Sequence, residues 1–129
     1  MIPWSYEGEE LKELPEGTES FVYLLQFESG HCYIGKKNTK STRRKKVSGK
    51  SRRTVTISES NWRTYLSSSI EVKQRIKNGE QLVRREILVL CDTVGAASYH
   101  EARLQFEHAV LCSDMYLNKW INVKVYRCY

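Results

Sequence analysis

Residues 21–35 constrain the fold more than any other part of the sequence, because they predict a β-hairpin. Residues 21–27 are apolar and favour a strand, residues 28–30 (Glu-Ser-Gly) favour a turn, and strand-forming residues follow. A three-residue loop that ends in glycine is typical of a type I turn followed by a left-handed bulge. With this loop, Tyr23 pairs with Gly35 across the hairpin.

The hairpin places two tyrosines together. Side chains alternate between the two faces of a strand, so Tyr23, Tyr33 and Lys37 share one face and Lys36 lies on the other. Gly35, opposite Tyr23, leaves room for something to approach the backbone closely. Paired aromatic side chains across a hairpin also pack well without any chemical role, which is the plain alternative for the tyrosines.

The basic residues are concentrated in one segment. The net charge is +6, but residues 36–53 hold ten Lys or Arg and no acid, and residues 1–20 hold six Glu against one Lys. This asymmetry favours a polyanionic partner, above all nucleic acid. The same run of basic residues would also be found in a localisation tract or on a solvated surface without a partner. Residues 38–58 lack hydrophobic periodicity and predict a basic loop that nucleic acid orders.

Two capping-box patterns predict helices. Ser68 and Glu71 predict a helix over residues 69–77, and Ser98 and Glu101 predict another that ends near residue 111 with Phe106 in its apolar stripe. The apolar run at residues 86–90 predicts a strand between them.

The element order predicts an α/β (α+β) fold with a small three-stranded antiparallel sheet flanked by helices. Residues 1–19 read as an acidic N-terminal arm, with Trp4 and Tyr6 as anchors, and residues 20–129 as a single domain. No apolar run approaches the roughly 20 residues of a membrane span, and there is no signal-peptide pattern. The four cysteines are scattered, which favours a reduced, intracellular protein over a disulfide or zinc framework.

The tyrosine hairpin resembles that of the GIY-YIG nucleases, with Phe-Val-Tyr at residues 21–23 in place of Gly-Ile-Tyr. Family members continue with a tryptophan, a third strand, a helix that carries one glutamate, and a late asparagine. The matching residues here are Trp62, Glu101 and Asn118. Residues 61–69 look closest to the short phage-encoded Seg-like homing endonucleases. The resemblance covers roughly residues 20–123.

The resemblance implies a metal-dependent DNA endonuclease with Tyr23 and Tyr33 at the scissile phosphate. An unperturbed tyrosine is a poor base at neutral pH, so a metal or cationic cluster would have to lower its pKa. Glu101 is the expected ligand of Mg²⁺ (or Mn²⁺), and one carboxylate suffices because Mg²⁺ keeps several waters. Closing the capping box is a competing role for Glu101, and Glu107 is the rival ligand.

Arg63 and Lys37 are the expected cations for the transition state, and Tyr65 resembles the position beside the attacking water. Gly35, Trp62 and Asn118 are expected to support the site structurally. Trp62 and Tyr65 also fit a pair of aromatics on one helix face in the core. The predicted contacts with nucleic acid are Lys36, Lys40, Arg43, Arg44, Lys45, Lys46, Lys50, Arg52 and Arg53.

The expected partner is DNA, most simply double-stranded, with no membrane and no small-molecule cofactor; a dimer is left open. A phage-encoded protein would act in the host cytoplasm. Two other hypotheses compete: an inactive nucleic-acid-binding module of the same fold, and a phage interaction protein whose acidic arm and basic loop contact protein partners. Convergence of Tyr23, Tyr33 and Glu101 on one cleft would favour the enzyme, and a Glu101 held in its own cap would weaken it.

Overall fold

The computed structural model describes residues 2–46, 49 and 53–128. The strands are β1 (Ser5–Tyr6), β2 (Glu9–Glu10), β3 (Ser20–Phe27), β4 (Cys32–Asn38), β5 (Lys40–Lys46), β6 (Arg53–Glu59) and β7 (Leu82–Cys91). The α-helices are α1 (Ile70–Lys77) and α2 (Val94–Glu107), and a 3₁₀ turn follows at Val110–Cys112.

Within the described residues the main sheet has five strands, in the order β2-β1-β7-β3-β4, so the prediction of three strands is wrong. The three expected strands, β7, β3 and β4, form its antiparallel part. The additional pair comes from the N-terminal segment, where β1 runs parallel to β7 and pairs Ser5 with Glu86. Trp4 anchors this segment, since its ring is 2% exposed and its Nε1 donates a hydrogen bond to the Trp62 carbonyl at 2.8 Å.

The predicted hairpin is confirmed in its register and in its turn. Tyr23 pairs with Gly35 and Leu25 with Tyr33. In the turn, the Gly30 N–H donates to the Phe27 carbonyl at 2.9 Å, and Gly30 has φ +92°, a conformation that glycine adopts without strain. Strand β3 lies between β4 and β7, which explains its continuous apolar sequence.

The two faces of β3 support two separate cores. Phe21, Tyr23, Leu25 and Phe27 face a core that includes Trp4, Trp62, Val72 of α1 and Leu117. Val22 and Leu24 face the other core, with Ile34, Leu104 of α2 and Val110. The faces of the sheet are therefore covered by different helices, and they meet at the outer edge of β4, where Cys32 forms an isolated parallel bridge with Tyr116.

The basic segment forms an antiparallel ribbon, so the prediction of a loop over residues 38–58 is wrong where the structure describes it. Strands β5 and β6 pair with each other in a separate sheet, from Lys40 opposite Glu59 to Lys46 opposite Arg53. Residues 54–57 (Thr-Val-Thr-Ile) are β-branched and alternate polar with apolar side chains, a local strand signal that the prediction of a loop overlooked.

Both helices begin at residues other than those the capping boxes predict. Ser69 caps α1, accepting a hydrogen bond from the Val72 N–H at 3.4 Å, and Thr93 caps α2, accepting one from the Ala96 N–H at 3.0 Å. Glu101 therefore lies inside α2 and closes no cap. Phe106 is 60% exposed, so its predicted place in the core is also wrong.

No helix in the described part of the chain combines the length and the apolar character that a membrane span needs.

Candidate active site

A cleft of about 500 Å³ lies along the outer edge of β4. Its walls come from the hairpin, the start of α1, the middle of α2 and the segment at residues 117–122. They include Tyr23, Tyr33, Lys36, Glu71, Glu101 and Trp120. The tyrosine pair and the expected glutamate thus converge on one space, although they come from opposite faces of the sheet.

Gly35 lets the Tyr23 side chain reach the cleft from the central strand. A Cβ atom at Gly35 would lie 2.7 Å from the Tyr23 hydroxyl and 2.8 Å from Cε1 of Tyr33. The space that the sequence predicted above Gly35 is therefore filled by the two tyrosines themselves. Any side chain at this position would displace them.

The phenol groups are linked through Ser67, which sequence reasoning missed. Its buried hydroxyl hydrogen-bonds to both Tyr23 and Tyr33 and lowers the pKa of each, while burial, the larger effect, raises them. Tyr65 also bonds to Tyr23, with ring centroids 6.0 Å apart. No pattern in the sequence distinguishes Ser67 from its serine neighbours.

Burial holds the pKa of Tyr23 well above its usual value, and the nearby Tyr65 raises it further. Burial also raises the pKa of Tyr33, followed by the charge of Glu101. Burial thus acts against the lowered tyrosine pKa that base catalysis would need. Both tyrosines are therefore neutral at pH 7, and a neutral phenol can donate a hydrogen bond.

Glu101 presents a partly buried carboxyl group to the cleft from the interior of α2. Burial raises its pKa, and the charge and backbone N–H of Lys36 act in the opposite direction. Glu71 lines the same cleft and accepts a hydrogen bond from the Ser69 hydroxyl at 3.1 Å. The sequence did not indicate Glu71 as a residue of the site, because the capping-box interpretation assigned its carboxylate to the helix backbone.

Polar side chains bind the backbone of β4 at its outer edge. Asn118 accepts from the Ile34 N–H at 3.2 Å and donates to the Ile34 carbonyl at 2.8 Å. Gln105 donates to the same carbonyl at 2.9 Å, while its Oε1 is buried without a hydrogen-bond partner among the described residues. These contacts fix α2 and residues 117–122 against the hairpin.

The two lysines of β4 lie on the faces that the alternation of side chains predicts. Lys36, on the face that α2 covers, lines the cleft and donates to the Ser98 hydroxyl at 2.6 Å. The Lys37 ammonium lies 4.1 Å from the centroid of the Tyr65 ring, in a cation–π contact beside the tyrosines.

Arg63, the other expected cation for the transition state, does not line the cleft that holds the tyrosines. Its guanidinium forms ion pairs with Glu13 at 2.7 Å and Glu59 at 3.1 Å, and lines a different cavity. These two carboxylates draw the side chain away from the tyrosines.

Trp62 lies in the core at 2% exposure, within a turn rather than a helix, so the predicted helix-face pair with Tyr65 is wrong. Glu107 lies outside the cleft, paired with Arg103 at 2.9 Å.

The predicted nucleic-acid contacts fall mostly on the ribbon. Lys40 forms an ion pair with Glu19 at 3.0 Å at its base. Five further positions belong to β5 and β6, namely Arg43, Arg44, Lys45, Lys46 and Arg53. Lys50 and Arg52 lie outside the described residues.

Two carboxylates in the cleft suit a hard cation. No group of three or more His, Cys, Asp or Glu residues is assembled in the described part of the chain. Glu101 and Glu71 share the cleft, and both charges raise the pKa of Tyr33. Oxygen donors of this kind fit Mg²⁺, which is held by one or two carboxylates together with waters and substrate phosphates.

The comparison with protein families agrees with this geometry. The family model of the SegE GIY-YIG endonuclease domain matches residues 4–122, so the match includes both tyrosines, Glu101 and the N-terminal strand pair. No curated protein and no solved structure matches the chain. The resemblance drawn from the hairpin is confirmed, and the chain belongs to the SegE GIY-YIG domain family.

Proposed function

We propose that this protein is a metal-dependent endonuclease that hydrolyses DNA phosphodiester bonds in the cleft beside β4. Membership of the family indicates a nuclease. The observation that supports the proposal most is the convergence of Tyr23, Tyr33 and Glu101 on one cleft, with Glu101 free of any helix cap. A homing role in a phage genome belongs to the same proposal.

The residues of the cleft divide the work of hydrolysis among them. Glu101, with Glu71 beside it, would hold Mg²⁺ or Mn²⁺, which supplies Lewis-acid stabilisation and acidifies bound water. The neutral phenols of Tyr23 and Tyr33 donate hydrogen bonds, so they orient a phosphate oxygen rather than remove a proton. Ser67 fixes the direction of both hydroxyl groups.

Positive charge for the transition state comes from lysines in this scheme. Lys36 and Lys119 both line the cleft, whereas Arg63 is paired with acids elsewhere. An ammonium group in a partly enclosed cleft stabilises charge on phosphorus more strongly than it would in water.

The ribbon is the proposed platform for double-stranded DNA. The major groove is wide enough to admit a two-stranded β-ribbon. Residues 40–59 hold eight Lys or Arg against one acid, Glu59. Val55 and Ile57 are 53% and 65% exposed, which leaves apolar side chains free to contact thymine methyl groups.

Nicking of a supercoiled plasmid with Mg²⁺ or with EDTA tests the enzymatic proposal. We expect Mg²⁺-dependent nicking by the wild type and by Glu107→Gln, and none by Glu101→Gln, which still binds DNA because no phosphate contact is lost. Cleavage by Glu101→Gln but not by Glu107→Gln would mean that the wrong glutamate is assigned. Tight DNA binding without cleavage in Mg²⁺ or Mn²⁺ would favour the inactive binding module, and absence of DNA binding would favour the interaction protein.

A further inference from the structure

Trp120 is an exposed aromatic side chain in the wall of the proposed active site. The chain has three tryptophans; Trp4 and Trp62 are each 2% exposed and lie in the core, whereas Trp120 is 70% exposed and lines the cleft. The proposed catalytic role of the cleft assigns nothing to this ring. Packing in the core does not explain a tryptophan at this position either, because most of the surface of Trp120 faces solvent.

The backbone on both sides of Trp120 is anchored. Leu117 and Asn118 are buried at 8% and 7% exposure, and Asn118 bonds to both backbone groups of Ile34. On the other side, Ile121 packs against the core that α2 covers. The backbone that carries the indole is therefore fixed before any ligand arrives, which lowers the entropy cost of using this residue as a contact.

Polar neighbours of Trp120 suit a nucleotide. Lys119 and Asn122 line the same cleft, and they offer an ammonium group for a phosphate and an amide for the edge of a base. Aromatic side chains combined with positive charge are typical of surfaces that bind unpaired nucleic-acid strands, because every base presents a π-face for stacking.

We propose that Trp120 stacks on an unpaired nucleobase next to the scissile phosphate, an inference that rests on the proposed function. In an intact duplex both faces of each base are covered by neighbouring bases. Stacking on Trp120 therefore requires a base that has left the helix, and the energy needed to displace it is least at a mismatch or in a single strand. The preferred substrate is then DNA with an unstacked base at the cleavage position.

Tryptophan emission tests this proposal directly, because Trp120 is the exposed member of the three. Oligonucleotides are added in EDTA, so that nothing is cleaved. We expect a single strand, or a duplex with one mismatch, to quench the emission more than the matched duplex does. The Trp120→Phe variant should lose this quenching. Equal quenching of wild type and Trp120→Phe, or none in the wild type on binding, would overturn the proposal.

Affinities of labelled oligonucleotides provide a second measurement. Trp120→Leu should weaken binding of the unpaired strand by about 5- to 150-fold, the range expected for loss of one base–aromatic stack. Trp120→Phe, which keeps an aromatic ring, should stay within about threefold of wild type. Tyr126→Leu is the matched control, since Tyr126 is 73% exposed and lies outside the cleft lining. Wild-type affinity in Trp120→Leu would overturn the proposal.

These measurements are independent of catalysis. A protein that nicks plasmid while Trp120→Leu binds normally has the proposed activity without the stacking site. A protein that fails to nick but shows quenching that depends on Trp120 has the stacking site and lacks the proposed activity.

Discussion

At the scale of single residues, the burial of Glu101 opposes ionisation of its carboxyl group. Burial raises the pKa of its carboxyl group in the folded protein. A raised folded-state pKa contributes stability below the unfolded-state pKa, and that contribution is lost as the pH rises through the folded-state value. The folded state of the metal-free protein is therefore less stable, relative to the unfolded state, when Glu101 is ionised.

We predict that Glu101→Gln raises the melting temperature of the metal-free protein at about pH 8 relative to wild type, with little effect near pH 4, where the glutamate is protonated. Addition of Mg²⁺ should raise the melting temperature of wild type at about pH 8 and leave Glu101→Gln unchanged, because a ligand that binds only the folded state stabilises it. Thermal unfolding in EDTA and in Mg²⁺ measures both effects. An equal response of the two proteins to Mg²⁺ would place the metal elsewhere.

The tyrosine pair gives a second prediction at this scale. Tyr23→Phe and Tyr33→Phe remove only the hydroxyl groups and keep the ring packing, so each variant should fold normally and lose most of its nicking activity. Circular dichroism and the plasmid assay measure the two properties. Full activity in both variants would return the hairpin to a purely structural role.

At the scale of elements, Arg85 of β7 joins three segments of the chain. Its guanidinium lies 4.0 Å from the centroid of the Trp4 ring, and it donates to the carbonyls of Arg63 at 2.9 Å and Tyr65 at 2.7 Å. Arg85 is only 3% exposed, and this burial lowers the pKa of its guanidinium to about 10. Arg85 thus fixes the loop that carries Tyr65 against the tyrosine pair.

We predict that Arg85→Met destabilises the protein by about 2–4 kcal/mol, because it leaves carbonyl groups of the 63–65 loop without their buried donor. Arg84→Met is the matched control: Arg84 is exposed and its ion pair with Glu86 is worth less than about 1 kcal/mol. Urea unfolding of both variants gives the comparison. Equal, small losses would mean that Arg85 contributes no more than a surface arginine.

The strands and helices also show which sequence signals were sufficient to predict an element and its boundaries. The hairpin could be predicted because turn chemistry and apolar pattern agree over residues 21–35 and fix one register. The helix starts could not, since Ser69 and Ser68 are equally good caps in isolation and tertiary packing chooses between them. The strand pair at Ser5–Tyr6 was missed because two residues carry no periodicity, and its position depends on burial of Trp4.

The candidate site was predictable to the extent that it depends on the hairpin. Tyr23, Tyr33 and Gly35 follow from strand pairing, whereas Glu101 came from the family resemblance. The place of Arg63 outside the cleft could not be predicted, because its side chain pairs with Glu13 and Glu59, which are distant in sequence or outside the motif. Contacts of this kind depend on the tertiary structure.

At the scale of the whole molecule, charge is separated between the ribbon and the body. Residues 36–53 carry ten Lys or Arg without an acid, and the remaining chain is net acidic. Lys40 and Arg63 near the base of the ribbon are paired with Glu19, Glu13 and Glu59. Acids of the body thus pair with the cations at the base of the ribbon.

We predict that the ribbon supplies most of the affinity for DNA through phosphate contacts. If Z residues displace condensed counterions, log K falls with log salt at a slope of about −0.9Z for duplex DNA. About five contacts would cost roughly two to three decades of affinity between about 50 and 200 mM salt. Replacing Arg43, Arg44, Lys45 and Lys46 by Ser should flatten the slope by about three to four units if all four contact phosphate.

A control variant separates local contacts from net charge. Replacing the exposed Lys12, Lys73, Lys77 and Lys124 by Ser removes the same charge from the body of the protein. Because counterion release depends on residues at the phosphate backbone, this variant should keep most of the wild-type slope, while the ribbon variant weakens binding about equally for all sequences. Fluorescence anisotropy over a salt series in EDTA measures both. Equal slopes in the two variants would show that DNA responds to overall charge, and an unchanged slope in the ribbon variant would assign the basic strands to a localisation or protein-partner role.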